Sequence, residues 1–567
     1  MANKTAYKII RKLLKKKDVS FQALSKIKRE FSKKHGISLI SNITLTQAYR
    51  QLVREKKIRK NEALLKLLRR RKIRTLSGVS VITVLTKPYP CPGKCLYCPN
   101  EKGMPKSYLK NEPAAQRAFL NKFDPYKQVK MRLKALEMTG HPTDKIEMIV
   151  LGGSWTSYPE KYKSWFIKRL FEACNNPLRR SEASRPAPPK RGEPAPDLVS
   201  AQKINEKARH RIIGLSLETR PDLITETEAW QMREFGATRV EIGVQSIYPE
   251  ILKKNNRGHG VEEIVRATKI LKDFGFKVIY HLMPNLPGST PVKDLKMFKT
   301  IFTDERFQPD MLKIYPCAVL KTAPLYKFWQ RKKYKPYSQK TLNKLLVNIK
   351  KIIPAYVRIN RLIRDIPGNS IIAGNKITNL RQLLQNQKVK CRCIRCREAR
   401  QKEIKEKDLI LVKRKYISSG GTEYFLSFET RDKKTLYAFL RLRLPEKNIA
   451  RYNPAPALSK KDFTPISTQT ALPALSPGTA IIRELHTYGQ SLPIQRRAGA
   501  HTRPKAVQHS GLGHRLMREA EKTAKNKGYP KIAVISGVGV REYYRRQGYS
   551  LEKTYLVKNF DKKIKII

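Results

Sequence analysis

Between Val79 and Asn375, short apolar runs alternate with longer amphipathic stretches, and this alternation restricts the available architectures more than any other feature. The runs VSVITVLT (79–86), KIEMIVLGG (145–153), RIIGLSLET (211–219), TRVEIGVQS (238–246), FKVIYHLM (276–283) and MLKIYPC (311–317) have the length and β-branched content of strands. Helical spacing fills the gaps, as in Pro249–Lys254 and Val261–Phe274. Strands separated by helices join through crossovers, so the expected class is α/β with a parallel sheet or barrel. One stretch breaks the rhythm. Residues 176–202 are rich in Pro, Arg, Ala and Ser and read as an inserted flexible loop.

The flanking segments differ from this core. Residues 1–74 hold 24 Lys and Arg against 4 Asp and Glu. Ile9, Leu13 and Leu14, then Phe21, Leu24 and Ile27, then Leu64, Leu65, Leu67 and Leu68 recur at helical spacing, which predicts a small all-helical domain with basic outer faces. Beyond residue 404, the runs LILVKRKYI, YFLSFET and YAFLRLRLP follow at hairpin distances. A Pro/Ser/Thr-rich interruption at 452–477 precedes a strand (Thr479–Glu484), a Gly-containing turn, a helix (Leu512–Lys525), the strand KIAVIS and a short aromatic helix. The expected division is 1–76, 77–375, 376–404 and 405–567.

The net charge of +73 makes a polyanionic partner the first expectation: nucleic acid, then an anionic membrane surface, with a basic proteome as the bland account. No apolar run approaches the roughly 18 residues of a membrane span. The basic N-terminus lacks the apolar segment of a secretory signal. Eight cysteines, six of them in two tight clusters, suit metal chemistry in a reducing cytosol better than disulfides; Cys174 is expected to be free.

Cys91, Cys95 and Cys98 form C-x3-C-x2-C directly after the first expected strand. Three thiolates can hold three irons of a [4Fe–4S] cube and leave the fourth open to bind a ligand, whereas a zinc knuckle would be one ligand short. Gly152 and Gly153 end the second strand, where a simple turn is the alternative reading. Glu218, Arg220 and Gln245 lie at later strand ends, where barrel sites assemble. This series resembles the radical S-adenosylmethionine superfamily. The resemblance implies a partial TIM-like barrel, with Gly152, Gly153, Glu218, Arg220 and Gln245 facing S-adenosylmethionine.

A second cluster, Cys391, Cys393 and Cys396, is one ligand short of a closed zinc site. Cys317, at the end of MLKIYPC, is the expected fourth ligand of a structural zinc.

Gln508, Gly511 and Gly513 make a Q-x-x-G-x-G turn at the start of an amphipathic helix, and glycines there let backbone N–H groups approach a pyrophosphate. With the strand before it and KIAVIS and REYYRRQGY after it, the turn resembles that of GNAT acetyltransferases. Tyr543 and Tyr544 face the acyl group or simply pack.

A radical S-adenosylmethionine barrel joined to an α+β GNAT domain through a Cys-rich linker resembles the family of the Elongator catalytic subunit and the stand-alone tRNA carboxymethyluridine synthases. CPGKCLYCPN, GLSLETRPD, RVEIGVQS, CRCIRCRE, IRELHTYG and QHSGLG carry the resemblance. It implies that a 5′-deoxyadenosyl radical takes hydrogen from the acetyl-CoA methyl group, and the resulting carbon radical adds to C5 of the tRNA wobble uridine. Thioester hydrolysis then leaves a carboxymethyl group. Lys145, Glu484, Leu485, His486, Thr487, Leu512, Gly513, His514 and Tyr544 are implied to contact acetyl-CoA, with Lys145 and Tyr544 catalytic. The helical domain is implied to hold tRNA, an electron donor is required, and accessory subunits or a homo-oligomer remain open. The insertions at 176–202 and 452–477 depart from the family pattern. The main rival is a GNAT protein acetyltransferase with a structural radical domain. A methylthiotransferase would lack the Q-x-x-G-x-G turn, and a basic scaffold leaves both cysteine clusters unexplained.

Overall fold

The computed structural model describes residues 2–15, 20–69, 75, 77–176, 197–400, 408–446, 475, 476, 478–488 and 511–560. Four helices come first: Ala2–Leu14, Phe21–Lys34, Asn42–Arg54 and Glu62–Leu68. Ser20, Ser41 and Asn61 cap the last three by accepting from Ala23, Thr44 and Leu64 N–H groups. Ile9, Leu13, Leu24, Ile27 and Leu64 meet Leu45 and Tyr49 in a separate core. Phe21, expected on that face, is 68% exposed because it sits in the first turn of its helix. Arg11, Lys12, Lys15, Lys26 and Arg29 point to solvent.

All six apolar runs form strands of one parallel sheet: Ser80–Leu85 (β1), Lys145–Leu151 (β2), Arg211–Thr219 (β3), Arg239–Gln245 (β4), Lys277–Leu282 (β5) and Met311–Ile314 (β6). Val319–Leu320 (β7) pairs with Ile371–Ala373 (β9) in a small ribbon. Arg358–Arg361 (β8) adds a seventh strand to the sheet, in the order β1-β2-β3-β4-β5-β6-β8. The sheet ends on β1 and β8, which do not pair, so the barrel is partial. Strand alternation sorts the side chains. Ile146, Met148, Val240, Ile242 and Val244 pack outward with Phe166 and Leu271 of the surrounding helices. Glu147, Glu218, Arg239, Glu241, His281 and Lys313 point into the lumen.

The expectation of a loop across 176–202 needs correcting at its end. Residues 198–202 begin the helix Leu198–Asn205, which Asp197 caps by accepting from Ser200 N–H at 2.7 Å. The Pro-rich composition stops at Pro196, and Ala201 and Gln202 are buried. Residues 177–196 lie outside the described residues, as do Gln508 and all of 452–477 except Leu475 and Ser476.

The C-terminal sheet contains Leu409–Ile417 (β10), Gly421–Thr430 (β11), Leu436–Pro445 (β12), Thr479–Thr487 (β13), Lys531–Val534 (β14), Ser550–Glu552 (β15) and Tyr555–Asn559 (β16). Their order is β10-β11-β12-β13-β14-β16-β15, antiparallel except for β13 beside β14. The helix Leu512–Asn526 covers one face with Leu516, Met517, Ala520 and Ala524. The other face docks on the N-terminal end of the barrel through buried ion pairs. Asp310, just before β6, accepts from Arg483 at 2.6 and 2.8 Å, and Arg441 also faces it. Glu423 accepts from Arg443 and Arg483, and Asp273 takes Arg443 at 2.5 Å. At Gly537 the approach to β3 is so close that a Cβ would lie 2.1 Å from the Ile213 carbonyl oxygen. Among the described residues no helix is long and apolar enough to cross a membrane.

Candidate active site

Backbone hydrogen bonds pin the first cysteine loop over the C-terminal ends of the strands. Leu96 N–H donates to Asn255 O at 3.0 Å, and Leu325 N–H donates to Leu96 O at 2.8 Å. Beneath the loop, Arg257 places Nη1 3.3 Å from Cys95 Sγ and donates from Nη2 to Gly243 O. Arg220 forms a bidentate pair with Asp222 and donates from Nη2 to Arg257 O at 2.9 Å. Burial pushes the Cys95 thiol up, but Arg257 and then Arg220 outweigh it and hold Cys95 below its ordinary value.

Arg220 Nη1, Arg257 Nε and Gln245 Oε1 are buried without hydrogen-bond partners. Three thiols on one loop, with cations and unsatisfied polar atoms turned beneath them, fit a [4Fe–4S] cluster and a polar ligand on its open iron. Cys91, Cys95 and Cys98 would hold that cluster. Gly152 takes φ 132°, and a Cβ there would stand 1.9 Å from Thr86 Oγ1, so only glycine lets this turn close onto the end of β1. Tyr158 OH donates to Gly152 O at 2.8 Å, and Gly153 follows at φ 89°. Gln245, at φ 68°, leaves β4 in the left-handed region with its side chain at the lumen.

A cavity of about 530 Å3 runs through the lumen. At the cluster end it is lined by Tyr97, Glu218 and Gln245, and at the opposite end by Ser77 and Glu147. Its middle is ionic: Glu241 pairs with Lys313, receives His281 Nε2 at 2.8 Å and accepts from Ser216 at 3.0 Å. Glu218 accepts from Tyr108 OH at 3.0 Å. Glu241 is held well below the usual carboxylate range, its burial outweighed by Lys313 and His281.

The wall nearest the C-terminal sheet is β13. Its pairing with β12 slips by one residue, since Arg441 faces Glu484 but Leu442 faces Ile482. Arg483 is the extra residue of this bulge, so Arg483 and Glu484 both point toward the barrel. His486 follows on that side, with Nε2 3.2 Å from Ser77 O, so Nε2 carries the proton. Leu485 and Thr487 fall on the other side, next to Gly513. Beyond Ile482, β13 has left β14, which ends at Val534, and among the described residues this leaves a gap between the two strands beside Glu484, Leu485, His486 and Thr487. Gly511 starts the neighbouring helix at φ 84°.

Burial lowers the pKa of His486, leaving it neutral near pH 7. Glu484 stays ionised: burial raises its pKa, but Lys277 and Arg441 prevail. Lys145, at the start of β2, is lowered by burial against the pull of Asp144. His514 Nδ1 lies 3.1 Å from Gln547 Oε1 on the surface. Tyr544 is buried among core side chains, whereas Tyr543 places its hydroxyl over Gly513.

The second cysteine group converges. The Cys391, Cys393 and Cys396 sulfurs lie within 4.8 Å of one another, as around a single ion. Cys393 is held well below the ordinary thiol value by hydrogen bonds from Cys391 and Cys396. The expected fourth ligand is wrong. Cys317 is buried in a different apolar cluster with Leu96, Val319 and Tyr334, and its thiol interacts with Tyr334. β6 ends at Ile314, and the chain carries Cys317 onto the cluster-loop side of the barrel. The cysteine segment joins the two sheets instead: Ile394 N–H donates to Val357 O and Ala399 N–H to Leu436 O.

Arg257, Asp310, Glu241 and His281 were invisible in sequence as site residues. Each is a single polar residue with no spacing partner, and only closure of the sheet brings them together.

The segment 89–300 matches the model of the Radical SAM superfamily, and 309–389 that of the Radical_SAM C-terminal domain. The tRNA uridine(34) acetyltransferase of Methanocaldococcus jannaschii is 41% identical, covering 96% of this chain and 95% of its own. Elongator complex protein 3 of Homo sapiens is 34% identical over 94% and 93%. The solved archaeal Methanocaldococcus infernus Elp3 with an N-terminal deletion (1–46) superposes with a TM-score of 0.67 at 40% identity, over 85% of this chain and 99% of that one. With the partial barrel, the three-cysteine loop and the fused mixed sheet, these similarities show that the chain belongs to the family of the tRNA uridine(34) acetyltransferases and Elongator complex protein 3.

Proposed function

We propose that this enzyme converts the wobble uridine of tRNA to 5-carboxymethyluridine, with acetyl-CoA as the carbon source. Relatives named tRNA uridine(34) acetyltransferase support the substrate. The observation that carries the reading is the single cavity. It runs from Ser77, which His486 touches, to Glu218 and Gln245 beside the cysteine loop, so one lumen serves both halves of the reaction.

In this reading a [4Fe–4S] cluster and S-adenosylmethionine, when bound, supply a 5′-deoxyadenosyl radical at the C-terminal ends of the strands. Cys91, Cys95 and Cys98 hold the cluster, and Gly152, Gly153, Glu218, Arg220 and Gln245 orient the sulfonium ligand. Acetyl-CoA lies against Gln508, Gly511, Leu512, Gly513 and His514 and enters the gap beside Glu484, Leu485, His486 and Thr487, with Lys145 at the barrel end. His486 donates from Nε2 to Ser77, which leaves Nδ1 to accept a proton from the water that hydrolyses the thioester. Tyr543 takes the place beside Gly513 that the resemblance gave to Tyr544. Cys391, Cys393 and Cys396 hold a structural zinc between the domains. The helices of 1–76 bind tRNA, an external donor reduces the cluster, and the enzyme works in the cytosol, where tRNA and reduced thiols coexist.

The test is anaerobic: reconstituted protein with dithionite, S-adenosylmethionine, acetyl-CoA and bulk tRNA, followed by mass spectrometry of digested nucleosides. A 5-carboxymethyluridine peak that disappears in Cys95→Ala is the expected result. Acetylated protein with no modified uridine would favour the acetyltransferase reading.

A further inference from the structure

The outer side of the cysteine loop, turned away from the lumen, is covered by the short helix Leu325–Gln330. Its first backbone N–H is the one that bonds Leu96, and Leu325 packs with Leu96, Ile251 and Val319 against the loop. On its outer side Phe328 is 39% exposed, while Tyr326 and Trp329, stacked with centroids 5.9 Å apart, are half-buried against that cluster. Around them Lys321, Lys327, Arg331, Lys332, Lys333 and Lys335 are all exposed, and no Asp or Glu occurs between Asp310 and Asp365. None of residues 321–340 lines the lumen.

We propose that this patch is the docking surface for an acidic one-electron carrier protein of the flavodoxin type. The inference rests on the radical-enzyme reading above, which requires a cluster in the loop that the patch covers. Electron transfer weakens steeply with distance, and the patch reaches the cluster loop directly without obstructing the route of the nucleoside. A small apolar centre with a one-signed rim suits the brief, electrostatically steered encounters of redox partners. The tRNA is assigned above to the basic helices of 1–76, and no residue of the patch lines the lumen that would receive its wobble base. In the step itself, one electron passes from reduced flavodoxin to the cluster; the carrier is oxidised by one electron, the cluster is reduced by one, and no bond or proton moves.

The experiment compares the reconstituted protein with a Lys327→Glu/Lys332→Glu/Lys333→Glu variant and with Phe328→Ala, using reduced flavodoxin as the probe. Flavodoxin affinity and the rate of flavin oxidation should fall on the order of tenfold in the triple variant, and the wild-type rate should fall with added salt. Reduction by dithionite should be equal in all three proteins. Flavodoxin affinity unchanged by charge reversal would overturn the docking surface. Loss of tRNA affinity with flavodoxin oxidation intact would assign the patch to RNA and overturn it as well. A wild-type cluster that dithionite cannot reduce would instead overturn the radical-enzyme reading, while flavodoxin affinity still decides the surface.

Discussion

Arg257 stands with Nη1 3.3 Å from Cys95 Sγ, so a buried thiol has a buried guanidinium as its charged neighbour before any metal arrives. A thiolate is the form that binds iron, and a cation beside it favours that form. Arg257→Met should therefore weaken iron retention after reconstitution on the order of tenfold, as loss of an outer partner of a metal ligand does. The deficit should shrink at higher pH. Iron content measured across pH checks this, and equal content at neutral pH would remove Arg257 from the role.

The ion pairs around Asp310 should make docking of the C-terminal sheet intolerant of single changes. Asp310→Asn leaves Arg441 and Arg483 buried with less countercharge and should cost about 3–5 kcal/mol. Adding Arg483→Met should recover part of that loss. Chemical denaturation of the two variants, with the single Arg483→Met, gives the coupling.

Lys272 donates to Gln308 O at 2.8 Å within this interface, and burial lowers its pKa to about 7 despite Glu423 and Asp310. The unfolded chain has a lysine pKa of about 10.4. Between these values the unfolded state holds a proton that the folded state has shed, so stability rises with pH across this window. Below about pH 7 the buried charge weighs on the fold in full. The melting temperature of the wild type, relative to Lys272→Met, should climb from pH 7 toward 10.

Zinc content should separate the two cysteine assignments. Cys393→Ser should lose the metal. Cys317→Ser should keep it, because Cys317 lies in the cluster around Tyr334.

tRNA affinity should fall steeply with salt. Replacing Arg11, Lys12 and Lys15 by Ala should flatten the slope of log affinity against log salt by about 0.7–0.9 for each phosphate that is no longer neutralised. A slope that these changes leave intact would place the tRNA elsewhere.

The strands that build the barrel were legible because they are buried on their outer side and keep strand length between helices. β8 was not. RINR offers only Ile359 as an apolar residue, and β6 recruits the segment through backbone pairing, which leaves no mark in composition. The cysteine spacing identified the cluster loop and the convergent zinc-type group, but its fourth ligand depended on a long-range guess about where the chain turns after β6. Tyr543 and Tyr544 show the same boundary: adjacent residues on a short helix differ by a rotation that only packing against Tyr549 and Gly513 decides.

The bulge at Arg483 holds one spare residue in this strand without deciding which side the following residues face. Removing Arg483 would restore regular pairing, with Ile482 and Glu484 as neighbours opposite Leu442 and Arg441, and would leave Glu484 and His486 toward the barrel and Leu485 and Thr487 toward Gly513. The strand can therefore gain or lose its spare residue at the bulge at the cost of the Arg483 ion pairs with Asp310 and Glu423 alone, whereas a single insertion or deletion between Glu484 and Thr487 would exchange the two sides of the residues beyond it.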